Sequence, residues 1–261
     1  MGIKWRVIGA LCGMIPILNL IILTKIVNIT SCEVEYEIEK ERITSNPDLV
    51  EFCKTKYPIV LVHGVFFRDN KLFNYWGRIP HTLKLHGATI HYGQHQSALP
   101  VKESARELAA RIKLIVERFE CEKVNIIAHS KGGLDCCYAI SEFGMAPYVA
   151  SLTTVSTPHR GCLFAESLLH SVPEKTKNKI ARAYNVSMNV IAEETPDFLA
   201  AVNDLTAKAC KERNEKISFP EGIYTQSVGS VMSRPQKGRF PLNLSYRYVR
   251  LRRTHHCCQT V

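Results

Sequence analysis

The sequence contains no basic run interleaved with aromatic residues, and only 8% of its 261 residues are Phe, Trp or Tyr. It carries no recognisable nucleic-acid-binding motif, so the net charge of +10 does not indicate a nucleic-acid partner. Paired CxxC motifs at zinc spacing are absent, which argues against a structural zinc site. Hydrophobic residues make up 46% and charged residues 22%, which excludes global disorder. We therefore predict a folded protein that needs no metal and no other cofactor.

No charged residue occurs in the apolar segment from Val7 to Thr24, which follows the basic start MGIKWR. Those 18 residues would form a helix about 27 Å long, close to the roughly 30 Å hydrocarbon core of a bilayer. We predict that residues 1–30 are a transmembrane anchor, with the basic start inside the cell and the body of the chain outside. A cleaved signal segment, which would leave a secreted protein, is the alternative. The surplus of positive charge is compatible with an anionic membrane surface.

The next segment and the cysteines give further expectations. Residues 31–56 are rich in charge and are predicted to link the N-terminal segment to the folded domain. Ten cysteines are many for this length, and outside the cell Cys32 and Cys53 are the simplest pair to form a disulfide. His255–Cys258 reads HHCC, but one chain segment can rarely aim four adjacent side chains at one ion, so we expect no metal site there.

Short apolar segments alternate with segments of helical periodicity along the rest of the chain. The predicted strands are Tyr57–Gly64, Ala88–Tyr92, Lys123–His129, Val149–Thr157 and Gly222–Ser230. Apolar side chains at the spacing of an amphipathic helix occur at Leu108, Ile112, Ile115 and Phe119. This alternation predicts an α/β fold with a doubly wound, mostly parallel sheet over residues 57–246. The long helical insertion at about residues 161–220 is predicted to form a lid over a site.

Ser130 lies in the stretch AHSKG, between a predicted strand and a predicted helix. The stretch matches the G-x-S-x-G elbow, with Ala128 in place of the first glycine, and the elbow needs small residues because its turn is sharp. Such a turn presents the hydroxyl at the carboxyl edge of the sheet, beside a helix N-terminus whose dipole favours developing negative charge. We interpret Ser130 as a catalytic nucleophile rather than as a helix cap.

The stretch HGVFF, His63–Phe67, follows the first predicted strand. In folds with a serine elbow, the oxyanion is bound by the N–H after the nucleophile and by an N–H in the loop after an early strand. Those groups would be the backbone amides of Lys131 and Val65. Gly64 lets the loop turn close to the site.

A family resemblance rests on several stretches together: YPIVLVHGVF, NIIAHSKGG, VSTPHRG, GIYTQSVGS and RFPLNLSY. They are similar to segments of the bacterial triacylglycerol lipases of the α/β-hydrolase superfamily. The resemblance extends from about Tyr57 to Tyr246. It implies a serine lipase or esterase that acts on lipid or other acyl-ester substrates, with Ser130 as nucleophile and Val65 and Lys131 as oxyanion donors. It also implies a mobile lid around Leu163–Leu169.

The resemblance ends before the family's catalytic acid and base. In the family, an aspartate–glycine loop and a later histidine loop follow the point matched by PLNLSY, whereas residues 247–261 show neither pattern. We therefore expect an atypical C-terminal tail and a domain without its last strand and helix. A rearranged triad would need His255 or His256 together with Asp197 or Asp204. Three functions stay open: an ester hydrolase, a catalytically impaired lipase-like protein that binds lipid or a partner, and an acyltransferase.

Overall fold

The computed structural model describes residues 3–13, 15–44, 51–65, 75–96, 98–190 and 196–230. They divide into two compact units. The first unit lies within Met1–Lys54 and Thr82–Ala88, and the second lies within Thr55–His81 and Thr89–Val261. The predicted start of the folded domain at residue 57 is close to the break after Lys54, but a short later segment belongs to the first unit.

The described part of Met1–Lys54 contains two helices, α1 (Ile3–Cys12) and α2 (Pro16–Thr44). The single helix expected over Val7–Thr24 is therefore interrupted. Pro16 explains the start of α2, because proline fits the first position of a helix, where its missing N–H removes no hydrogen bond. The backbone N–H of Ile15 donates to the carbonyl of Cys12 at 3.1 Å, which closes the turn between the helices.

Within the described residues, one helical stretch, Ile17–Ile43 of α2, is long and apolar enough to cross a membrane, judged by length and composition alone. Its apolar side chains are exposed: Ile17 keeps 77% of its surface accessible and Leu20 keeps 65%. The predicted linker at 31–56 begins inside this helix, so its first part is helical. Cys32 and Cys53 are free thiols, and the expected disulfide between them is wrong.

A parallel sheet organises the second unit. Its strands are β1 (Ile59–Val62), β2 (Ile90–Tyr92), β3 (Val124–His129), β4 (Val149–Val155) and β5 (Tyr224–Val228), in the spatial order β2-β1-β3-β4-β5. Neighbouring strands are parallel throughout. The chain moves outward from β1 to β2, then crosses back to β3 and continues in the other direction. This reversal confirms the predicted doubly wound α/β sheet.

Helices connect the strands. Their bounds are α3 (Ile79–Leu85), α4 (Val101–Arg118), α5 (Lys131–Glu142), a 3₁₀ helix at Ala146–Tyr148, α6 (Leu163–Ser171), α7 (Glu174–Val190), α8 (Phe198–Asn203) and α9 (Ala207–Asn214). The predicted apolar stripe of α4 is buried at Leu108, Ile112 and Ile115. Phe119 was expected to continue the stripe, but it lies just past the helix end, half exposed, with its ring against His91.

The outermost strand on one side of the described sheet is β5. All five of its residues are exposed, and Tyr224 keeps 63% of its surface accessible. The predicted loss of the last strand and helix, and the tail at 247–261, concern residues that lie outside the described part of the chain.

Candidate active site

Ser130 occupies the turn between β3 and α5, with φ 54° and ψ −128°. A positive φ is unfavourable for any residue with a side chain, and such strain costs about 1–3 kcal/mol and clusters at functional sites. Two backbone hydrogen bonds hold the turn. The Ser130 N–H donates to the carbonyl of Val155 in β4 at 3.0 Å, and the Ser130 carbonyl accepts from the N–H of Gly133 at 3.1 Å. The strand, sharp turn and helix expected around this serine are all present.

Two glycines after the turn allow α5 to approach neighbouring segments. A Cβ atom on Gly132 would lie only 2.3 Å from the carbonyl oxygen of His63, and one on Gly133 only 2.1 Å from Thr157 Oγ1. Real side chains do not come this close. Any larger residue at either position would therefore push α5 away from the ends of β1 or β4.

The loop after β1 lies directly against the serine. A Cβ atom on Gly64 would be 2.9 Å from Ser130 Cβ and 3.0 Å from the hydroxyl of Tyr75. Val65, next in the loop, is buried, and its carbonyl accepts a hydrogen bond from the hydroxyl of Tyr184 on α7. This packing brings the segment that carries the Val65 amide beside the start of α5, which carries the Lys131 amide.

The position in the sheet agrees with a ligand site. Strands β1 and β3 are neighbours, paired from Ile59 with Asn125 to Val62 with Ala128. The chain places β2 on one side of β1 and then β3 on the other, so the carboxyl ends of β1 and β3 flank the switch point of the sheet. In open α/β sheets, ligands bind in the crevice outside the strand ends at this point.

The Ser130 hydroxyl makes no hydrogen bond to any other described residue. No histidine, aspartate or glutamate in the described ranges is hydrogen-bonded to it. The described residues therefore contain the serine turn and the loop beside it, but no base that is hydrogen-bonded to the serine hydroxyl.

Comparison with known proteins gives consistent results. The chain is 33% identical over 200 residues to a triacylglycerol lipase of Pseudarthrobacter phenanthrenivorans, covering 68% of this chain and 62% of the relative. It is equally identical over 200 residues to a triacylglycerol lipase of Burkholderia plantarii, covering 68% of this chain and 55% of that relative. No protein-family model matches.

Solved structures show the same architecture. The mature lipase BlEst2 of Bacillus licheniformis superposes with a TM-score of 0.55 at 22% identity, covering 75% of this chain and 73% of that one. A metagenomic carboxyl esterase superposes with a TM-score of 0.57 at 13% identity, covering 76% and 57%. This chain is a homologue of the triacylglycerol lipases, with the α/β-hydrolase fold. It spans about three fifths of the two curated relatives, 62% and 55% of their lengths.

The histidines of the lipase homologue that lie near the strand ends already have other partners. His129, next to the serine, is hydrogen-bonded through Nδ1 to the hydroxyl of Tyr75. His159 Nε2 lies 3.0 Å from Thr154 Oγ1. Burial lowers the pKa of both imidazoles, which favours their neutral forms.

The proposed acids of a rearranged triad are also engaged elsewhere. Asp197 caps α8, with Oδ1 accepting from the N–H of Ala200 at 3.1 Å. Asp204 Oδ2 accepts from the N–H of Val101 at 2.7 Å, which joins the segment after α8 to the start of α4. His255 and His256 lie outside the described residues. Neither aspartate contacts a described histidine.

The role of the Lys131 side chain was not predicted from the sequence, which indicated a role only for the backbone amide. The side chain is fully buried, and its ammonium donates to both oxygens of Asp135, at 2.8 and 3.0 Å. A lysine four residues before an aspartate in a predicted helix was the available signal, because such residues lie on one helix face. Its third hydrogen bond goes to Ser104 Oγ at 2.8 Å, a partner 27 residues away that periodicity does not reveal.

The predicted lid, 161–220, forms α6 to α9, apart from residues 191–195, which lie outside the description. Helices α6, α7 and α8 share a small apolar cluster that includes Ala165 and Phe198. The segment is attached to the sheet domain at several points, including the hydrogen bond from Tyr184 to the loop after β1. The helical character of the insertion is confirmed, whereas its mobility, including that of Leu163–Leu169, stays a prediction.

Proposed function

We propose that this protein is a serine ester hydrolase that cleaves lipid or other acyl esters. Ser130 Oγ forms a bond to the ester carbonyl carbon while its proton passes to a general base. The carbonyl oxygen becomes an oxyanion, held by the backbone amides of Val65 and Lys131. The alkoxide leaves with the proton from the base, and water then releases the acid from the acyl-serine.

The observation that carries this proposal is the strained turn at Ser130. A positive φ at a serine between β3 and α5 raises the side chain from the sheet edge, and Gly64 places the loop with Val65 against it. Similarity to named triacylglycerol lipases supports the acyl-ester class of substrate.

Fluorophosphonate labelling tests the proposal. The probe should label the wild-type chain at Ser130, and Ser130→Ala should abolish labelling together with ester hydrolysis, because loss of the nucleophile costs about 10⁴–10⁶ in kcat. Ser156→Ala is a matched control, since Ser156 also has a positive φ, follows the neighbouring strand β4 and is exposed. Equal labelling of wild type and Ser130→Ala would refute the assignment. Product analysis with an added alcohol would distinguish hydrolysis from acyl transfer.

One observation favours a second candidate, a lipase-like protein that binds lipid without turnover. The Ser130 hydroxyl has no base among the described residues, and a serine without a base retains only about 10³-fold of catalysis over water. This candidate predicts saturable binding of a fluorescent acyl ester with no release of acid. Hydrolysis that depends on Ser130 would exclude it.

We also infer attachment to a membrane through the N-terminal unit. The exposed apolar side chains of α2, Ile17 and Leu20 among them, support insertion into a bilayer. An anchored chain resists extraction by alkaline carbonate and keeps its N-terminal sequence, whereas a cleaved signal segment leaves a shortened soluble protein. Mass spectrometry of the purified N-terminus separates the two, and a soluble protein with an intact N-terminus would contradict both.

A further inference from the structure

A fully buried ion pair lies directly behind the proposed oxyanion hole. The ammonium of Lys131 has three N–H donors, and all three are used, two by Asp135 and one by Ser104. Lys131 and Asp135 each keep only 1% of their surface accessible, and Ser104 keeps none. The Ser104 hydroxyl lies 3.1 Å from the carbonyl of Gln96, which links α4 to the segment after β2.

The same carboxylate reaches toward the loop after β1. His95 Nε2 lies 3.4 Å from Asp135 Oδ2, within ion-pair distance although not aligned as a hydrogen bond. The imidazole of His95 stacks on that of His63, with ring centroids 4.3 Å apart and planes 7° apart. His63 Nδ1 lies 3.0 Å from the carbonyl of Gly64. Four side chains thus form a continuous buried path from the first turn of α5 to the residue before Val65.

Stability alone does not account for this arrangement. Removing two charges from water is costly, and apolar residues of similar volume often replace a buried ion pair with equal or greater stability. A hydrogen-bonded ion pair is directional and an apolar contact is not, because hydrogen bonds fix both the distance and the angle between the groups that they join. Here the hydrogen bonds fix the start of α5, which carries the Lys131 amide, against α4. The same carboxylate lies against His95, whose ring stacks on His63 in the loop that carries the Val65 amide.

We infer that the buried path Lys131–Asp135–His95–His63 is a positioning network that sets the placement of the Lys131 and Val65 backbone amides relative to each other. The inference rests on the proposed function, since it concerns the same oxyanion hole. The four side chains are positioning residues, because they act through the backbone and none is placed against the reacting atoms. The network tunes stabilisation of the oxyanion and leaves substrate binding in the ground state unchanged.

The double variant Lys131→Met/Asp135→Leu tests the inference in the full chain. It removes both charges together, so neither is left buried and unpaired, and it retains apolar volume. We expect the rate of fluorophosphonate labelling at Ser130 to fall about 100-fold, the loss typical of one oxyanion donor. KM for a short-chain ester should stay within about twofold. Amide hydrogen exchange should accelerate in residues 59–65 and stay unchanged in β4.

Two further sets of variants separate positioning from general destabilisation. Asn125→Leu/Ser151→Val removes another side-chain hydrogen bond, between β3 and β4 at the strand ends away from the serine, and should leave the labelling rate of the folded protein unchanged. His95→Ala breaks the path without touching α5 and should slow labelling and increase exchange in residues 59–65, whereas His95→Phe keeps the stacked ring and should restore most of both. The His95 variants serve as the test if the double variant does not fold.

The outcomes distinguish this inference from the proposed function. If wild type labels at Ser130 but the network variants label equally fast with unchanged exchange, the positioning inference is overturned and the function stands. If wild type does not label, yet exchange in residues 59–65 responds to the variants, the network is supported and the hydrolase proposal is overturned. Absence of both responses overturns both.

Discussion

Replacing Gly132 with alanine is expected to separate the two halves of the proposed oxyanion hole. The new Cβ atom would lie 2.3 Å from the carbonyl oxygen of His63, 2.9 Å from Val62 Cγ1 and 3.1 Å from the carbonyl carbon of His63. The shortest of these distances is about 1 Å below ordinary van der Waals contact. Because the partner is backbone rather than a flexible side chain, α5 and the end of β1 must move apart.

The expected size of the effect follows from that displacement. Overpacking a close contact costs about 1–3 kcal/mol of stability, which is offset in part by the roughly 1 kcal/mol that alanine gains over glycine inside a helix. Stability should therefore fall by at most about 2 kcal/mol. A misplacement of about 1 Å in a catalytic arrangement can reduce the rate about 100-fold. A 100-fold loss is about 2.7 kcal/mol of transition-state stabilisation, so the variant should lose activity while it remains folded.

The assay compares Gly132→Ala with Gly229→Ala, because a Cβ atom on Gly229 meets nothing within 4 Å. Urea unfolding measures the free energy of unfolding, and fluorophosphonate labelling measures the reactivity of Ser130 in the folded protein. We expect a large loss of labelling rate in the first variant only. Wild-type stability and a wild-type labelling rate in Gly132→Ala would refute the close approach of α5 to His63.

Three further predictions concern stability and reactivity. Burial lowers the pKa of His129 and of His159 below the unfolded value of about 6.5, so the unfolded chain takes up protons first as pH falls. The free energy of unfolding should therefore decrease below about pH 6.5, and equal urea midpoints at pH 7 and pH 5.5 would contradict this. Burial raises the pKa of Cys137 to about 12, so its thiol should react with a disulfide reagent only after unfolding, whereas the partly exposed Cys53 should react in the native protein. Simultaneous modification of both in native protein would count against the burial of Cys137. Asp204→Ala should lower the free energy of unfolding by about 2–3 kcal/mol in chemical denaturation, because the Asp204 carboxylate accepts a hydrogen bond from the N–H of Val101. An unchanged denaturation midpoint would show that this hydrogen bond contributes nothing to stability.

Local patterns predicted much of the fold. All five strands were located, β1, β3 and β4 because each is a short, largely apolar segment. The core face of α4 was recognised from the spacing of Leu108, Ile112 and Ile115. Phe119 was misplaced because periodicity does not mark where a helix ends. The break before Pro16 was missed although proline signalled it, because hydrophobicity alone was considered.

The candidate site, like the fold, could be predicted from the sequence only in part. Ser130, Gly64 and the glycines after the serine could be recognised from sequence, because a sharp turn restricts the residue types within a few positions of it. The contacts that make those residues necessary could not be recognised from the sequence. Gly132 faces His63, and Gly133 faces Thr157, only because β1, β3 and β4 are neighbours in the sheet.

The sequence by itself determined where the strands lie, which serine occupies the elbow and which class of protein the chain resembles, because these depend on neighbouring residues. The tertiary structure alone decided that the Lys131 side chain is buried against Asp135 and Ser104, and that His95 stacks on His63. The physical reason is that strand order sets which distant side chains share a dry interior. In that dry interior a charged side chain must pair with another polar or charged group, however far apart the two residues are in the sequence.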